Sequence, residues 1–170
     1  MKKEKILLHA TVCYLKKDSD VWLSLKVAKI GAGCRNGYGG GIEKGETQKR
    51  TAQRELFEEC KVRVLRKNLE KVAIVDFHNT KTDGETFVCR VHFYVTKIWK
   101  GKPKQTKEMI NPKLFSLNNL PLSEMMPADK IFVPIILSGK KITANFYYGP
   151  FQKKLLKKGE IKEVDFLPEA

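Results

Sequence analysis

The chain has 170 residues, 42% hydrophobic and 31% charged, with a formal net charge of +14. These proportions fit a soluble globular protein with one sizeable core. No apolar run approaches the roughly 20 residues that a membrane-spanning helix needs, and the opening MKKEKILLHA, with acidic Glu4 and a short apolar run, makes a poor secretory signal. Cys13, Cys34, Cys60 and Cys89 form no CxxC pair and no zinc-ligand spacing, so they read as free thiols in a reducing compartment. Lysines are scattered through the chain instead of gathered in a basic tail or an arginine-rich helix. The positive charge attracts phosphate-rich ligands. The expectation is a single domain over residues 1–170, monomeric and cytoplasmic, with no membrane partner and no obligate nucleic acid.

In chain order, residues 6–15 read as a strand, KKDSD at 16–20 as a polar turn, and 21–27 as the return strand of a hairpin. Glycines at 31, 33, 37 and 39–41 keep the next segment compact and able to approach a ligand closely. The segment lacks the lysine–hydroxyl pair that ends a P-loop and the glycine spacing of a dinucleotide fold. Residues 47–60 read as a helix. Residues 62–64 and 72–77 are strand material, and the polar excursion HNTKTDGE follows. A stronger strand spans 86–98, rich in Val, Phe, Tyr and Thr, and Gly101 and Pro103 end it. PLSEMMPADKIFVPIILSG leads into a helix that begins near Ala128, carries Phe132, Ile135 and Ile136, and meets a breaker at Pro134. Residues 142–148 form a late strand whose aromatic run closes the domain. His9, His78 and His92 have no obvious catalytic partner and read as structural or surface groups, and the lysine-rich end carries no legible signal.

On a helix over 47–60, Glu55, Glu58 and Glu59 stand at i, i+3 and i+4 and project together. Converging carboxylates repel one another by roughly 0.2–0.5 kcal/mol per close pair. A hard divalent cation, Mg²⁺ or Mn²⁺, favours oxygen ligands and offsets that repulsion.

The stretch GGGIEKGETQKRTAQRELFEECKV at 39–62 also places Gly40, Glu46, Arg54, Glu55, Leu56, Glu58, Glu59 and Val62 at fixed spacings. These are the spacings of the Nudix hydrolase signature, with Lys61 where the signature has a glycine. The chain resembles that family, and within it the MutT-like enzymes that clear oxidised purine nucleoside triphosphates, over about residues 7–148. The resemblance implies an α/β (α+β) Nudix fold: a mixed curved β-sheet sandwiched between helices, with a loop–helix–loop catalytic motif. A helix commonly ends in a left-handed residue, so Lys61 either costs about 1 kcal/mol there or the exit takes another path.

The resemblance further implies metal ligation by Glu55, Glu58, Glu59, the carbonyl of Gly39, and Glu108 in KEMINPKLF. Catalytic roles fall to Glu58, Glu59 and Arg54. Glu58 either binds metal or orients the attacking water, and which carboxylate is the general base stays open. Gly40 and Glu46 are structural, Glu46 through a paired charged hydrogen bond with Arg54. Thr11, Lys26 and Asn36 match polar pocket positions, and Phe77, Met109 and Met126 are pocket walls or ordinary core. The subgroup reads its purine with two consecutive aspartates. Here the pair is Ala128-Asp129, and Asp129 either reads a base edge or caps its helix. Met126 stands where the subgroup has a tryptophan, and a methionine covers a base without supplying a flat aromatic face.

The function implied is Mg²⁺-dependent hydrolysis of a modified purine nucleoside triphosphate, such as 8-oxo-dGTP, to the monophosphate and pyrophosphate. The alternatives are a Nudix hydrolase for another nucleoside-diphosphate-linked compound and a non-catalytic RNA-binding Nudix domain.

Overall fold

A computed structural model describes residues 8–169. The first hairpin joins β1 (His9–Lys17) to β2 (Asp20–Lys26) through Asp18 and Ser19. Asp18 takes φ 54°, the left-handed backbone that a two-residue hairpin turn requires. The two strands pair only over residues 15–17 and 20–22, then part. The glycine segment fills the wedge between them: β3 (Arg35–Asn36) pairs with β2, and β4 (Tyr38–Gly41) pairs with β1. Close approach makes glycine obligatory at 39, because a Cβ there would lie 1.8 Å from the Thr11 carbonyl oxygen.

The other edge of β1 pairs in parallel with β6 (Thr86–Thr96), which pairs antiparallel with β5 (Glu70–Thr80). β8 (Lys141–Tyr148) runs parallel to β5, β9 (Glu160–Val164) closes that edge, and β7 (Met109–Ser116) covers the outer edge of β2. The result is one mixed sheet of nine strands. Alternation along β1 divides the core. Ala10 and Tyr14 join Phe77, Phe93 and Phe146 beneath α2 (Asp129–Leu137), while Cys13 and Leu15 join Leu56 and Tyr94 beneath α1 (Gln48–Cys60). The sheet therefore lies between the two helices.

The two helices behave differently at their predicted weak points. Thr47 caps α1, its Oγ1 accepting from the Arg50 amide at 3.2 Å, and Lys61 ends the helix in the left-handed region at φ 62°, ψ 23°. The lysine thus takes the strained exit rather than another path. Pro134 does not interrupt α2, which continues to Leu137. Its missing N–H removes one helical bond, and burial of Phe132, Val133, Ile136 and Leu137 holds the helix regardless.

Several strand expectations need correction. The first three residues of the polar excursion, His78 to Thr80, belong to β5, because β6 and β8 satisfy the backbone there on both edges. The strand over 86–98 stops at Thr96, and residues 62–64 contribute only a bridge between Arg63 and Lys100. Residues 6 and 7 of the predicted first strand lie outside the described residues. The lysine-rich end is structured: it supplies β9, and Lys71 Nζ donates to the Pro168 carbonyl at 2.7 Å. Among the described residues, no helix is long and apolar enough to cross a membrane.

The Lys61→Gly variant is expected to be more stable by about 1 kcal/mol, since glycine carries no Cβ penalty in the left-handed region. A higher urea midpoint with an unchanged slope would register it.

Candidate active site

The geometry begins where β4 meets α1. Glu55 and Glu59, one turn apart, are both buried on the face of α1 that packs toward the glycine segment. Gly40 leaves room for Glu55, because a Cβ there would lie 2.4 Å from its Oε1. The Gly39 amide donates to Glu59 Oε1 at 2.8 Å. Glu108 arrives from the loop before β7. That loop is tied to the end of α1 by Lys104 N–H donating to the Cys60 carbonyl at 2.9 Å and by Thr106 Oγ1 donating to the Glu59 carbonyl at 2.8 Å. These bonds satisfy carbonyls that a helix end leaves open. Val27 N–H donates to the Glu108 carbonyl at 3.0 Å and holds the loop to the end of β2. One oxygen each from Glu55, Glu59 and Glu108 then lie within 4.8 Å of one another.

Three carboxylates that close resist full ionisation. Burial pushes Glu59 up to about 8, with Glu55 and Glu108 adding to the shift while the Gly39 amide and Lys26 oppose it. Burial also raises Glu55, against the pull of Arg54. An all-oxygen donor set whose charges are mutually destabilising fits a hard divalent cation.

Arg54 organises the rim. Its Nε and Nη2 donate to the two oxygens of Glu46 at 2.7 and 2.9 Å, the predicted bidentate pair. Nη1 reaches Glu55 Oε1 at 2.8 Å and Glu58 Oε2 at 3.2 Å, and Nη2 also donates to the Gly41 carbonyl at 3.1 Å. Hydrogen bonds from Arg54 hold Glu46 down at about 2. Arg54 thus positions carboxylates through its guanidinium. Glu58, for which the sequence leaves metal binding and water orientation both open, lies outside the carboxylate trio, and its side chain is 50% exposed. At i+3 from Glu55 it has turned toward solvent, whereas the i+4 residue, Glu59, faces inward.

A cleft of about 150 Å³ adjoins the trio, with Glu59, Gly39 and Gly40 in its wall. Thr11, Lys26, Asn36, Phe77, Met109, Met126 and Asp129 all line it. Their chemistry is uneven. Thr11 Oγ1 is buried without a hydrogen-bond partner among the described residues. Asn36 Oδ1 accepts from the Gly37 amide at 2.8 Å and the Tyr14 hydroxyl at 3.3 Å, which leaves its NH₂ donors available. Asp129 is the first residue of α2 and is not its cap. The preceding Ala128 offers no side-chain cap, and its amide donates instead to the Tyr148 hydroxyl at 2.8 Å. Burial raises Asp129 to about 7, with Lys26 opposing.

Residues 4–134 match the profile of the NUDIX domain. An oxidized purine nucleoside triphosphate hydrolase from Danio rerio is 31% identical over 138 residues, 81% of this chain and 85% of that relative. The protein of the same name from Mus musculus matches to the same extent, 31% over 138 residues. Among solved structures, a MutT protein from Bacillus halodurans superposes with a TM-score of 0.75 at 24% identity, covering 91% of this chain and 97% of that one. A MutT NUDIX hydrolase from Burkholderia pseudomallei gives 0.64 at 21% identity, covering 79% and 98%. This chain belongs to the Nudix hydrolase family.

The Nudix signature accounts for Glu55 and Glu59 but not for Glu108 or the whole cleft. Ile30, Asn79, Phe87, Cys89 and Gln152 also line it, and the sequence reading passed over them. The alternation Phe87, Cys89, Val91, Phe93 along β6 was the available signal, since those four side chains share one face of the sheet.

The pKa shifts set a pH dependence for the metal-free protein. Glu59, moved from 4.5 to about 8, and Asp129, moved from 3.8 to about 7, bind protons more tightly folded than unfolded. Their contribution therefore falls as pH rises through those intervals. His92, held down to about 4 from 6.5 by burial, contributes in the opposite direction only below 6.5. Between pH 6.5 and 8, metal-free protein is expected to lose stability, and Glu59→Gln to lose less. Added Mg²⁺ should raise Tm more at pH 8 than at 6.5, because it binds the deprotonated carboxylates. Denaturation scans with chelator or Mg²⁺ measure both effects.

Proposed function

We propose that the chain hydrolyses purine nucleoside triphosphates carrying an oxidised or otherwise modified base, releasing the monophosphate and pyrophosphate. One observation carries the reading: the carboxylate trio and the cleft share a wall at Glu59 and Gly39, so a nucleotide with its base in the cleft brings its phosphates to the trio. The names of the Danio rerio and Mus musculus relatives support the substrate class.

Glu55, Glu59 and Glu108, with the Gly39 carbonyl, would hold Mg²⁺, or Mn²⁺ as the alternative. A cation bound there supplies charge neutralisation for phosphate oxygens and acidifies a coordinated water. Glu58, half exposed beside Arg54, would serve as the residue that orients the attacking water or takes its proton. Glu59 is fixed by the Gly39 amide and carries a ligand role. Arg54 is a positioning residue. In the cleft, the Asn36 NH₂ group donates to the base and Asp129 reads a second point on its edge. Near neutrality, Asp129 exchanges between acceptor and donor forms. Thr11 offers an unused hydroxyl. Phe77, Met109 and Met126 supply apolar walls, and Lys26 adds a positive charge.

Product chromatography over oxidised and ordinary purine triphosphates, sugar nucleotides and dinucleotides tests the reading. The expected result is Mg²⁺-dependent pyrophosphate release, strongest with a modified purine triphosphate. Glu59→Gln should fold normally and lose at least about 100-fold in turnover. Phosphate release from another compound class, with none from purine triphosphates, would overturn it.

A further inference from the structure

Asn79, Phe87 and Gln152 line the cleft without a part in the proposed reaction. Asn79 is buried at 2% exposure in β5, and its Nδ2 donates to the Phe77 carbonyl at 2.8 Å. A main-chain carbonyl can only accept, so this bond fixes which way the Asn79 amide faces. Asn79 Oδ1 must then be the acceptor for its neighbour, and Gln152 Nε2 donates to it at 2.9 Å. The relay is one-directional. It leaves Gln152 Oε1 as the remaining acceptor on a residue that lines the cleft.

Gln152 reaches this position by a costly backbone path. Phe151 and Gln152 are consecutive non-glycine residues at φ 57° and 56°. Each such residue costs roughly 1–2 kcal/mol, and strain of this kind persists where the surrounding structure enforces it, often beside ligands. The enforcing contacts are the Gln152 amide on the Gly149 carbonyl at 3.1 Å and the Gly149 amide on the Lys154 carbonyl at 2.9 Å. Residues 149–152 follow the stretch matched by the family profile, which ends at 134.

We infer that Gln152, oriented by Asn79, is a specificity-determining residue of the cleft, presenting a carbonyl acceptor to an exocyclic amine of the purine. The inference rests on the proposed function for the identity of the ligand. It adds a selection for amine-bearing purines over those in which the amine is replaced by hydrogen.

Calorimetric titration of the full chain with nucleoside monophosphates tests it, and needs no turnover. Guanosine and inosine monophosphates differ by one exocyclic amine, as do adenosine and purine riboside monophosphates. The wild-type chain should bind the amine-bearing member of at least one pair tenfold or more tightly. Gln152→Met should remove that preference, and so should Gln152→Glu, which keeps acceptor oxygens but has no donor for Asn79 Oδ1 and so loses the orienting bond. An equal preference in wild type and Gln152→Met overturns the inference, as does no preference in either pair or no binding by all four at millimolar concentration. Should Gln152→Met fail to fold, the wild-type ratios and the glutamate variant decide. A chain that discriminates amines yet hydrolyses no purine triphosphate would defeat the proposed reaction and leave this assignment standing.

Discussion

Where β4 runs in the seam between β1 and α1, there is no space for a side chain on either flank. A Cβ on Gly39 would overlap the Thr11 carbonyl, and one on Gly40 would overlap the Glu55 carboxylate. That double exclusion lets the backbone of one strand lie against the acidic face of a helix. It also turns the Gly39 amide toward Glu59. The carboxylates and the cleft are neighbours because this seam is thin. A methyl group at either glycine would move the helix, the carboxylate or the first strand, and each of those belongs to the site.

Packing acidic groups so closely needs a counterion in the protein itself. Arg54 serves that role from the outer side, bonded to Glu46, Glu55 and Glu58 together. An arginine fork can do this where a lysine cannot, because its several N–H donors lie in one plane at fixed angles. Glu46 is held on its other flank by the Glu43 amide and the Thr51 hydroxyl. Arg54 therefore leans on a carboxylate that is itself tied to the first turn of α1. On the inner side, Glu59 and Glu108 form no ion pair among the described residues, Lys26 acts on Glu59 only through its charge, and the residual repulsion is what the site offers to a cation.

The sequence made the helix, the glycine segment and the carboxylate spacing legible, because these depend on residues within one short stretch. The bidentate pair of Glu46 and Arg54, eight positions apart, was readable for the same reason. Glu108 came from resemblance alone, for its approach depends on a loop docking through Lys104 and Thr106 onto carbonyls at the end of α1. Local periodicity misled where tertiary pairing overruled it. His78 and Asn79 look like loop residues, yet they are clamped between two strands, and His78 stacks on Tyr147 at 4.7 Å. Glu58 was grouped with its neighbours on helical spacing, which gives the direction of a side chain but not which flank the rest of the fold covers. The strained turn at Phe151 and Gln152 left no trace in the sequence, since neither residue type favours a left-handed backbone.

The precision demanded of the carboxylates explains why both ends of α1 are anchored. At its end, Lys104 and Thr106 hold the last carbonyls, and the Lys61 and Arg63 side chains lie over the Phe57 ring at 5.2 and 4.3 Å. At its start, the chain's last described residues fold back. Lys71, buried in β5, donates both to Gln48 in the first turn and to the Pro168 carbonyl, and Tyr94 shares its hydroxyl between Gln48 and Glu169. Lys71 is a charged group kept out of water, and burial lowers its pKa. A buried ammonium is costly unless its donors are used. Its two acceptors, Gln48 and the Pro168 carbonyl, lie far apart in the sequence, so the tail and the helix start satisfy one cation together. Removing either acceptor leaves that charge underpaired, which couples the carboxyl-terminal segment to the helix that carries Glu55 and Glu59.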